Sequence, residues 1–418
     1  MTAVLRLLLG NEWLTGRRVA AWSAILLGLE LVTLAVMVAG THGLIVRLDR
    51  PASTDFVSFY AAGDLADAGH PELAYSVPDH YAAEQRAAAP GITYNYFYYP
   101  PVFLLLCAPL ARLPYLPAFL LFAVGTLAAF VAVARRVIGR EGWRDMLPLL
   151  AFPALPWTLG IGQNALLTAS LFGFATLLVD RRPLLAGLCF GALCYKPHFG
   201  VLVPVALAAG GHWRAFAAAA ASAALLVLLS VLAFGLGSWR AFFAAFAAAP
   251  ALYQSGRIGF AGMISVFGAA RLAGLSPSVA YGLQAIAALL AAATVAWLWR
   301  CCASLPVRAA GLLAATLAAV PLALFYELML AALAGAWLVR EARQGGYLLG
   351  EKPAFAAIAA VALVSRGLGM AVPLGVGPLV PLGLLALCVG HARRERWMQA
   401  RPLRWERADG ALPVRLRT

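Results

Sequence analysis

Long apolar stretches with almost no charge constrain this chain more than any other feature. Four of the clearest cover residues 19–46, 116–134, 279–299 and 354–370. Only 12% of all residues are charged, whereas soluble domains average about 25%, and the mean hydropathy is +0.83. Water cannot solvate a surface so poor in charge, so the sequence predicts an integral membrane protein that crosses the bilayer many times.

The length of these runs favours helices over a transmembrane barrel. Barrel strands need only about 9–11 residues and alternate between apolar and polar side chains, whereas the runs here are longer and almost entirely apolar. In the bilayer core, where water is absent, a helix pairs its own backbone groups. We therefore predict an all-α membrane protein, a polytopic bundle of about 11 to 13 transmembrane helices.

Composition divides the chain into three parts. Residues 1–18 carry three arginines among leucines and tryptophan, which is typical of an amphipathic segment on the cytoplasmic surface. Residues 19–390 form one membrane domain, because no long polar block stands apart from it. Within it, the polar residues 47–99 are expected to form the first loop on the outer side. Residues 391–418 are a basic cytoplasmic tail.

The charge balance indicates orientation rather than nucleic-acid binding. The net charge is +14, from 32 basic and 18 acidic residues. Arginines cluster at one end of the apolar runs, at residues 135–144, 181–182 and 393–407, as the positive-inside rule requires of cytoplasmic ends. Both termini are therefore expected in the cytoplasm, with the basic tail against anionic membrane lipids. No nucleic acid is expected as a partner.

The first loop, residues 47–99, concentrates the polar and aromatic residues that the rest of the chain lacks. It holds Asp55, several further acids, two histidines and the aromatic run Tyr94–Tyr99. The apolar spacing predicts two short interfacial helices, within residues 58–68 and over 77–89. We therefore expect a structured loop rather than a plain connector.

Polar residues also interrupt the apolar runs at four places farther along. They are, in order, Gly162-Gln163-Asn164, Lys196-Pro197-His198, an expected loop over residues 237–262 that contains Arg257, and Tyr326-Glu327. The count of spans places all four on the same side as the first loop. These four interruptions and the first loop are thus expected together at one face of the membrane.

These polar pieces resemble glycosyltransferase family 87, a family of integral membrane enzymes in the GT-C superfamily. The resemblance rests on Asp55-Phe56 with Phe59–Gly63, Tyr99-Pro100-Pro101-Val102-Phe103, Gly162-Gln163-Asn164, Tyr195-Lys196-Pro197-His198 and Met263–Gly268. It covers about residues 50–340. One piece departs from the family, since an acidic Tyr-Asp-Leu pattern stands here as Tyr326-Glu327-Leu328.

The resemblance implies a GT-C-like bundle and a specific activity. The family includes mycobacterial mannosyltransferases that use polyprenol-phosphate-mannose. By the resemblance, a hexose arrives on a polyprenyl-phosphate donor and is transferred, with inversion and without a metal ion or other cofactor. The acceptor is then a glycolipid or a cell-envelope glycan. The resemblance also implies a site that faces the periplasm of a bacterial plasma membrane, with Asp55 as the general base.

Such a transfer needs two kinds of chemical group. A carboxylate takes the proton of the acceptor hydroxyl, and burial beside Phe56 would raise the pKa of Asp55 and make it a stronger base. The leaving phosphate needs a cation, for which the candidates are Lys196, His198 and Arg257. The candidate substrate-binding residues are Phe59, Tyr60, His70, Tyr98, Tyr99, Gln163, Asn164, Tyr326 and Glu327.

Each candidate also has a plain structural interpretation. Asp55 can cap or solvate a surface helix, Lys196 can be an interfacial anchor, and the run Tyr94–Tyr99 can be an aromatic belt. His70 and His80 fit ordinary loop positions, and their spacing matches no metal signature. For the protein as a whole, a multi-pass transporter or lipid flippase is the alternative function, although no internal repeat is evident.

Overall fold

The structure, a computed structural model, describes most of the membrane domain. The described residues are 13–42, 45–47, 51–52, 54–139, 142–254, 259–301 and 304–399. Most of the N-terminal segment 1–18, most of the basic tail 391–418 and Arg257 lie outside them. The surface role of both ends and the phosphate role of Arg257 therefore stay predictions.

The first half of the chain is helical apart from a short ribbon. Its elements are α1 (Gly16–Ala39), β1 (Thr41–His42), β2 (Ile45–Arg47), β3 (Pro51–Ala52), α2 (Phe56–Asp67), a 3-10 turn (Pro71–Tyr75), α3 (Val77–Ala87), a 3-10 turn (Pro101–Phe103), α4 (Leu104–Ala111), α5 (Tyr115–Ile138), α6 (Trp143–Leu150), α7 (Ala154–Ile161) and α8 (Ala165–Leu178). The three strands form an antiparallel sheet in the order β1-β2-β3. They pair Thr41 with Val46 and Val46 with Ala52. Helix α1 ends before the predicted residue 46 because β-branched residues there join this ribbon.

The second half alternates short and long helices. Its elements are α9 (Pro183–Ala192), a 3-10 turn (Leu193–Tyr195), α10 (Pro197–Gly200), α11 (Val203–Ala209), α12 (Trp213–Gln254), a 3-10 turn (Phe260–Gly262), α13 (Val266–Leu272), α14 (Pro277–Cys301), α15 (Leu305–Ala319), a 3-10 turn (Phe325–Leu328), α16 (Met329–Gly345), α17 (Glu351–Ala371) and α18 (Leu379–Gln399).

Five of the described helices are long and apolar enough to cross a membrane. They are Gly16–Val36 within α1, Tyr115–Ile138, Trp213–Ala249 within α12, Pro277–Cys301 and Glu351–Ala371. Five shorter apolar helical segments accompany them, at Pro101–Ala111, Ala165–Leu178, Pro183–Tyr195, Pro197–Ala209 and Leu305–Ala319. The all-α membrane architecture agrees with the prediction from the sequence. The total of 11 to 13 spans stays a prediction, because the shorter segments fall below the roughly 20 residues that one crossing needs.

The core is formed by helices that are apolar on every side. Helix α15 is buried from Pro306 to Ala319 and packs against α14, α16 and α18. The long helices at the periphery expose apolar side chains instead, with Leu232 on α12 72% exposed and Leu289 on α14 71% exposed. A helix that is hydrophobic all round belongs inside, whereas exposed leucines in rows suit a lipid-facing surface.

The first loop folds as the sequence predicts, into two short helices. Helices α2 and α3 fall within two residues of the predicted bounds. Helix α2 packs closely on α4: a Cβ atom on Gly63 would lie 2.3 Å from the backbone oxygen of Cys107. Only glycine permits this approach, which presses the loop onto the membrane domain.

The expected loop over residues 237–262 is wrong for most of its length. Helix α12 continues to Gln254 after a kink at Gly235, whose φ is 72° and ψ is 166°. Trp239 bridges the kink, since its indole N–H donates to Ser230 Oγ at 3.2 Å. The segment after the kink is rich in alanine, the strongest helix former, so the helix resumes where polar residues had suggested a loop.

The contact of α2 with α4 yields a stability prediction. Gly63→Ala should destabilise the protein by about 1–3 kcal/mol, because the added methyl group overpacks the interface. The control is Gly125→Ala on α5, where no atom lies within 4 Å of the added Cβ, so helix propensity alone acts and stability should hold or rise. Thermal unfolding of both purified variants in detergent measures the difference. Equal unfolding temperatures would show that α2 is not pressed against α4.

Candidate functional site

Asp55 lies directly before α2, and its side chain is turned toward another part of the chain. It occupies the N-cap position but makes no side-chain capping bond. Its Oδ2 accepts a hydrogen bond from Gln163 Nε2 at 2.9 Å. The next residue, Phe56, is completely buried among aromatic rings from α5. The buried ring of Phe56 holds Asp55 against the membrane domain. The structure does not support the interpretation of Asp55 as a helix cap.

The turn between α7 and α8 is built against the start of α2. Gly162 has a φ of 69° and ends α7. A Cβ atom there would lie 2.7 Å from Cβ of Phe56, so a side chain would push the two elements apart. Gln163 then donates to Asp55, while its Oε1 accepts from the Tyr99 hydroxyl at 3.5 Å and from the backbone N–H of Asn164 at 3.3 Å. The glycine thus places the amide of Gln163 beside the carboxylate.

A buried ion pair lies behind this turn. Lys196 is 4% exposed and Glu327 is 2% exposed, and the ammonium of Lys196 donates to Glu327 Oε1. The same ammonium donates to Asn164 Oδ1 at 2.9 Å. It also lies 5.9 Å from the ring centroid of Tyr99 and 5.8 Å from that of Tyr326. The positive charge of Lys196 is therefore matched within the protein.

Together these residues form one connected set, which we call the polar network: Asp55, Tyr99, Gln163, Asn164, Lys196 and Glu327. Hydrogen bonds link it from Asp55 through Gln163 to Tyr99 and Asn164, and then through Lys196 to Glu327. Five separate stretches of sequence contribute to it. The structure thus brings together six of the thirteen candidate site residues.

The surroundings of Asp55 act on its pKa in opposite directions. Partial burial raises the pKa of Asp55, whereas the hydrogen bond from Gln163 and the positive charge of Arg366 lower it. Burial has the largest effect, so the pKa stands above that of an ordinary aspartate. Among the described residues, no donor reaches the second carboxylate oxygen, Oδ1. Asp55 is therefore an anchored carboxylate with one oxygen available to accept a proton.

The other predicted site residues divide between the network and the surface. Phe59 is buried against Tyr99 and Phe103, and the hydroxyl of Tyr60 donates to the backbone oxygen of Leu113. Both are therefore packing residues of α2. Tyr98 is partly exposed and stacks on Tyr96 with ring centroids 5.5 Å apart.

Two predicted histidines stand apart from the polar network. The His70 side chain is 64% exposed and lies 3.8 Å from Glu72. His198 is exposed on α10, next to the buried Lys196, and contacts the ring of Phe199. Neither forms a hydrogen bond to the network in the described part of the chain.

A buried pair in the first loop, His80 and Glu84, was not predicted from the sequence. His80 Nε2 lies 3.0 Å from the backbone oxygen of Ser58, and Glu84 Oε2 accepts from the backbone N–H of Asn95 at 3.1 Å. Burial lowers the pKa of His80 to about 4 and raises that of Glu84 to about 8. The charge of Asp55 adds to the rise at Glu84. Both groups are thus mainly neutral near pH 7, and their spacing of four on one helix face was the available signal.

Among the described residues, no group of three or more histidine, cysteine, aspartate or glutamate side chains is arranged to hold a metal ion. The polar network itself offers two carboxylates, two side-chain amides and one ammonium. A partly buried carboxylate with a raised pKa suits proton abstraction.

The fold and the site together define a class: an all-α membrane protein with a network of polar side chains that joins its first loop to later helices. A sequence model of glycosyltransferase family 87 matches residues 97–326, which is more than half of the chain. The chain therefore belongs to glycosyltransferase family 87 and is a membrane glycosyltransferase. No curated protein and no solved structure matches it. The matched region contains Tyr99, Gln163, Asn164 and Lys196 but stops before Glu327, and Asp55 precedes it.

The buried ion pair yields a prediction about stability. Lys196→Met or Glu327→Met alone should destabilise the protein by about 3–5 kcal/mol, because each leaves an uncompensated buried charge. The double variant should recover most of this loss, since it removes both charges. Thermal unfolding of the four proteins in detergent measures the coupling. Losses that simply add in the double variant would contradict the ion pair.

Proposed function

We propose that this protein transfers a hexose from a polyprenyl-phosphate donor to a lipid-linked or cell-envelope glycan acceptor. The reaction inverts the anomeric centre, takes place at the periplasmic face of a bacterial plasma membrane, and uses Asp55 as general base. The observation that carries the proposal is the hydrogen bond from Gln163 to Asp55, which joins the first loop to a turn in the region matched by the family.

The proposed step is a single displacement at the anomeric carbon. Asp55 Oδ1 takes the proton of an acceptor hydroxyl as the oxygen of that hydroxyl forms a bond to the anomeric carbon. The bond from this carbon to the phosphate oxygen breaks on the opposite face, and its electron pair leaves with the polyprenyl phosphate. A positioned base contributes about 10² to 10⁴ in rate. Phosphate already leaves well, so its charge has to be matched rather than protonated.

Gln163 has the positioning role in this proposal. Its amide donates to Oδ2 of Asp55 and leaves Oδ1 turned toward the acceptor. The same hydrogen bond stabilises the ionised form that a base requires. Asn164 and the pair of Lys196 with Glu327 fix the turn that carries Gln163. Glu327 thus keeps a function although the family pattern has aspartate there.

Two of the three residues predicted to bind the donor phosphate remain candidates for that role. Lys196 already neutralises Glu327, so we assign it to positioning rather than to the phosphate. His198 is exposed beside it and stays a candidate, as does Arg257. Tyr98, which is partly exposed, is our candidate for stacking on the sugar. Mannose as the sugar rests on the resemblance alone.

Exchange of the proposed base tests the function directly. Purified full-length protein in detergent would be incubated with radiolabelled polyprenyl-phosphate sugars and an envelope lipid extract. Asp55→Asn should lower turnover by about 10² to 10⁴ with donor binding nearly unchanged. Asp64→Asn is the matched control on the same helix, where Asp64 is exposed and lies 3.5 Å from Arg86, and it should transfer normally. Wild-type turnover by Asp55→Asn would exclude Asp55 as the base.

The pH dependence provides a second test. The ionised base is present above the pKa of Asp55 and is lost as pH falls through it. Because that pKa is raised, the rate should begin to fall at higher pH than for an ordinary aspartate, whose pKa is about 3.9. Gln163→Leu removes a bond that lowers the pKa, so its acid limb should move to still higher pH.

The measurement is kcat/KM for the donor as a function of pH, for wild type and Gln163→Leu. Gln85→Leu is the control, because Gln85 lies in the first loop and bonds only the backbone N–H of Gly91 among the described residues. Its profile should coincide with that of wild type. An acid limb that stays in place in Gln163→Leu would contradict the role of the hydrogen bond.

A further inference from the structure

Arg366 is an arginine within a membrane-spanning helix. It lies on α17, which is long and apolar enough to cross the bilayer. Its neighbours Leu363 and Val364 are about half exposed, as lipid-facing residues are, whereas Arg366 is partly buried. A charge within a membrane helix costs up to about 2.5–3.5 kcal/mol on insertion scales, and such residues usually mark functional sites.

Arg366 lies close to the end of α17. Ala371, where α17 ends, is five positions farther along the chain, which corresponds to roughly 7–8 Å at 1.5 Å per residue. In the predicted topology this end faces outward. We therefore expect the guanidinium near the outer headgroup region rather than at the middle of the bilayer.

The guanidinium is held in place by an aromatic ring and not by a carboxylate. Its central carbon lies 4.5 Å from the ring centroid of Trp157 on α7. Within the described part of the chain it forms no hydrogen bond and no ion pair. A guanidinium stacked by its face keeps the N–H groups at its edge free for a bidentate acceptor.

Its surroundings connect Arg366 to the polar network. Trp157 belongs to the short helix that leads into the turn of Gln163. One terminal nitrogen, Nη1, lies against Gly262, where an added Cβ atom would be 2.8 Å away. The positive charge also acts on the carboxylate of Asp55, although the two groups form no direct ion pair. Among the described residues, an arginine without an ion-pair partner and a carboxylate with one unbonded oxygen thus interact from different elements of the fold.

We propose that Arg366, held by Trp157, binds the phosphate ester of the lipid-linked donor opposite Asp55. This inference rests on the proposed function and names the cation that an inverting displacement requires on the leaving-group side. The polyprenyl chain then lies along the apolar, exposed face of α17, which explains how a donor anchored in the bilayer reaches a site at its surface.

The test uses the polyprenyl phosphate product as the probe for the full-length protein in neutral detergent. Arg366→Gln should weaken its binding by about tenfold to a hundredfold, as expected for lost hydrogen bonds to a charged group. The KM for the donor should rise alongside it. Arg366→Lys should fall between, because lysine keeps the charge but loses the planar fork.

The matched control is Arg271→Gln. Arg271 also stacks on an aromatic ring, with its guanidinium 5.1 Å from the centroid of Phe260, but it bonds the backbone oxygen of Leu275. Its variant should bind polyprenyl phosphate as wild type does. Wild-type binding by Arg366→Gln would overturn the proposal. A wild-type protein that neither binds the probe nor transfers sugar would instead refute the proposed function itself.

A second measurement needs no variant and so does not depend on folding. Polyprenyl phosphate should protect Arg366 of the wild-type protein from modification by phenylglyoxal, as read by mass spectrometry, and leave Arg271 equally reactive. Phosphatidylglycerol at the same concentration should protect much less. Equal protection by both lipids would identify a general headgroup contact and overturn the assignment to the donor, as would no protection by polyprenyl phosphate.

Discussion

The buried pair of Lys196 and Glu327 is the interaction on which the geometry of the site depends. Both charges are removed from water, and either one alone would carry a desolvation cost of several kcal/mol. Each buried charge therefore needs the other as its partner, and the two residues pair although 131 positions of sequence separate them. Lys196 follows the 3-10 turn at the end of α9, and Glu327 lies in the 3-10 turn before α16. Their pairing sets the relative position of two helix ends, and Asn164 is bonded to the same ammonium.

Hydrogen bonds connect this ion pair to Asp55, the proposed base, and so fix the position of its carboxylate. Asn164 and Gln163 are adjacent, so a fixed Asn164 fixes the amide that reaches Asp55. Phe56 restricts the position of the Asp55 carboxylate from the other side, because its buried ring prevents α2 from shifting far. Burial works against ionisation of Asp55, while the amide and Arg366 favour it. These opposing effects describe a carboxylate that is more basic than one in water and is still stabilised in its ionised form.

Sequence reasoning succeeded where the signal is local. The apolar runs predict helices, and the spacing of the first loop predicts α2 and α3 within two residues. It failed in three places, and only the first of them depends on distant residues. The sequence around Lys196 does not predict Glu327 as its partner. The sequence alone therefore predicts that the ammonium of Lys196 is available to bind a phosphate. Arg366 was overlooked because it is a single charge in an apolar run, and the continuation of α12 was overlooked because a few polar residues outweighed its alanines.

The arrangement along the chain places Asp55 and Arg366 outside the region that the family model matches. That region, residues 97–326, supplies the turn of Gln163, the ammonium of Lys196 and the ring of Trp157. Asp55 comes from before it and Arg366 from after it. Each is oriented by a residue inside the region, Asp55 by Gln163 and Arg366 by Trp157. If these two groups carry the base and the phosphate-binding cation, the matched region is the frame that holds them on opposite sides of one sugar. Proton acceptance and leaving-group stabilisation would then depend on contacts that only the complete bundle can form.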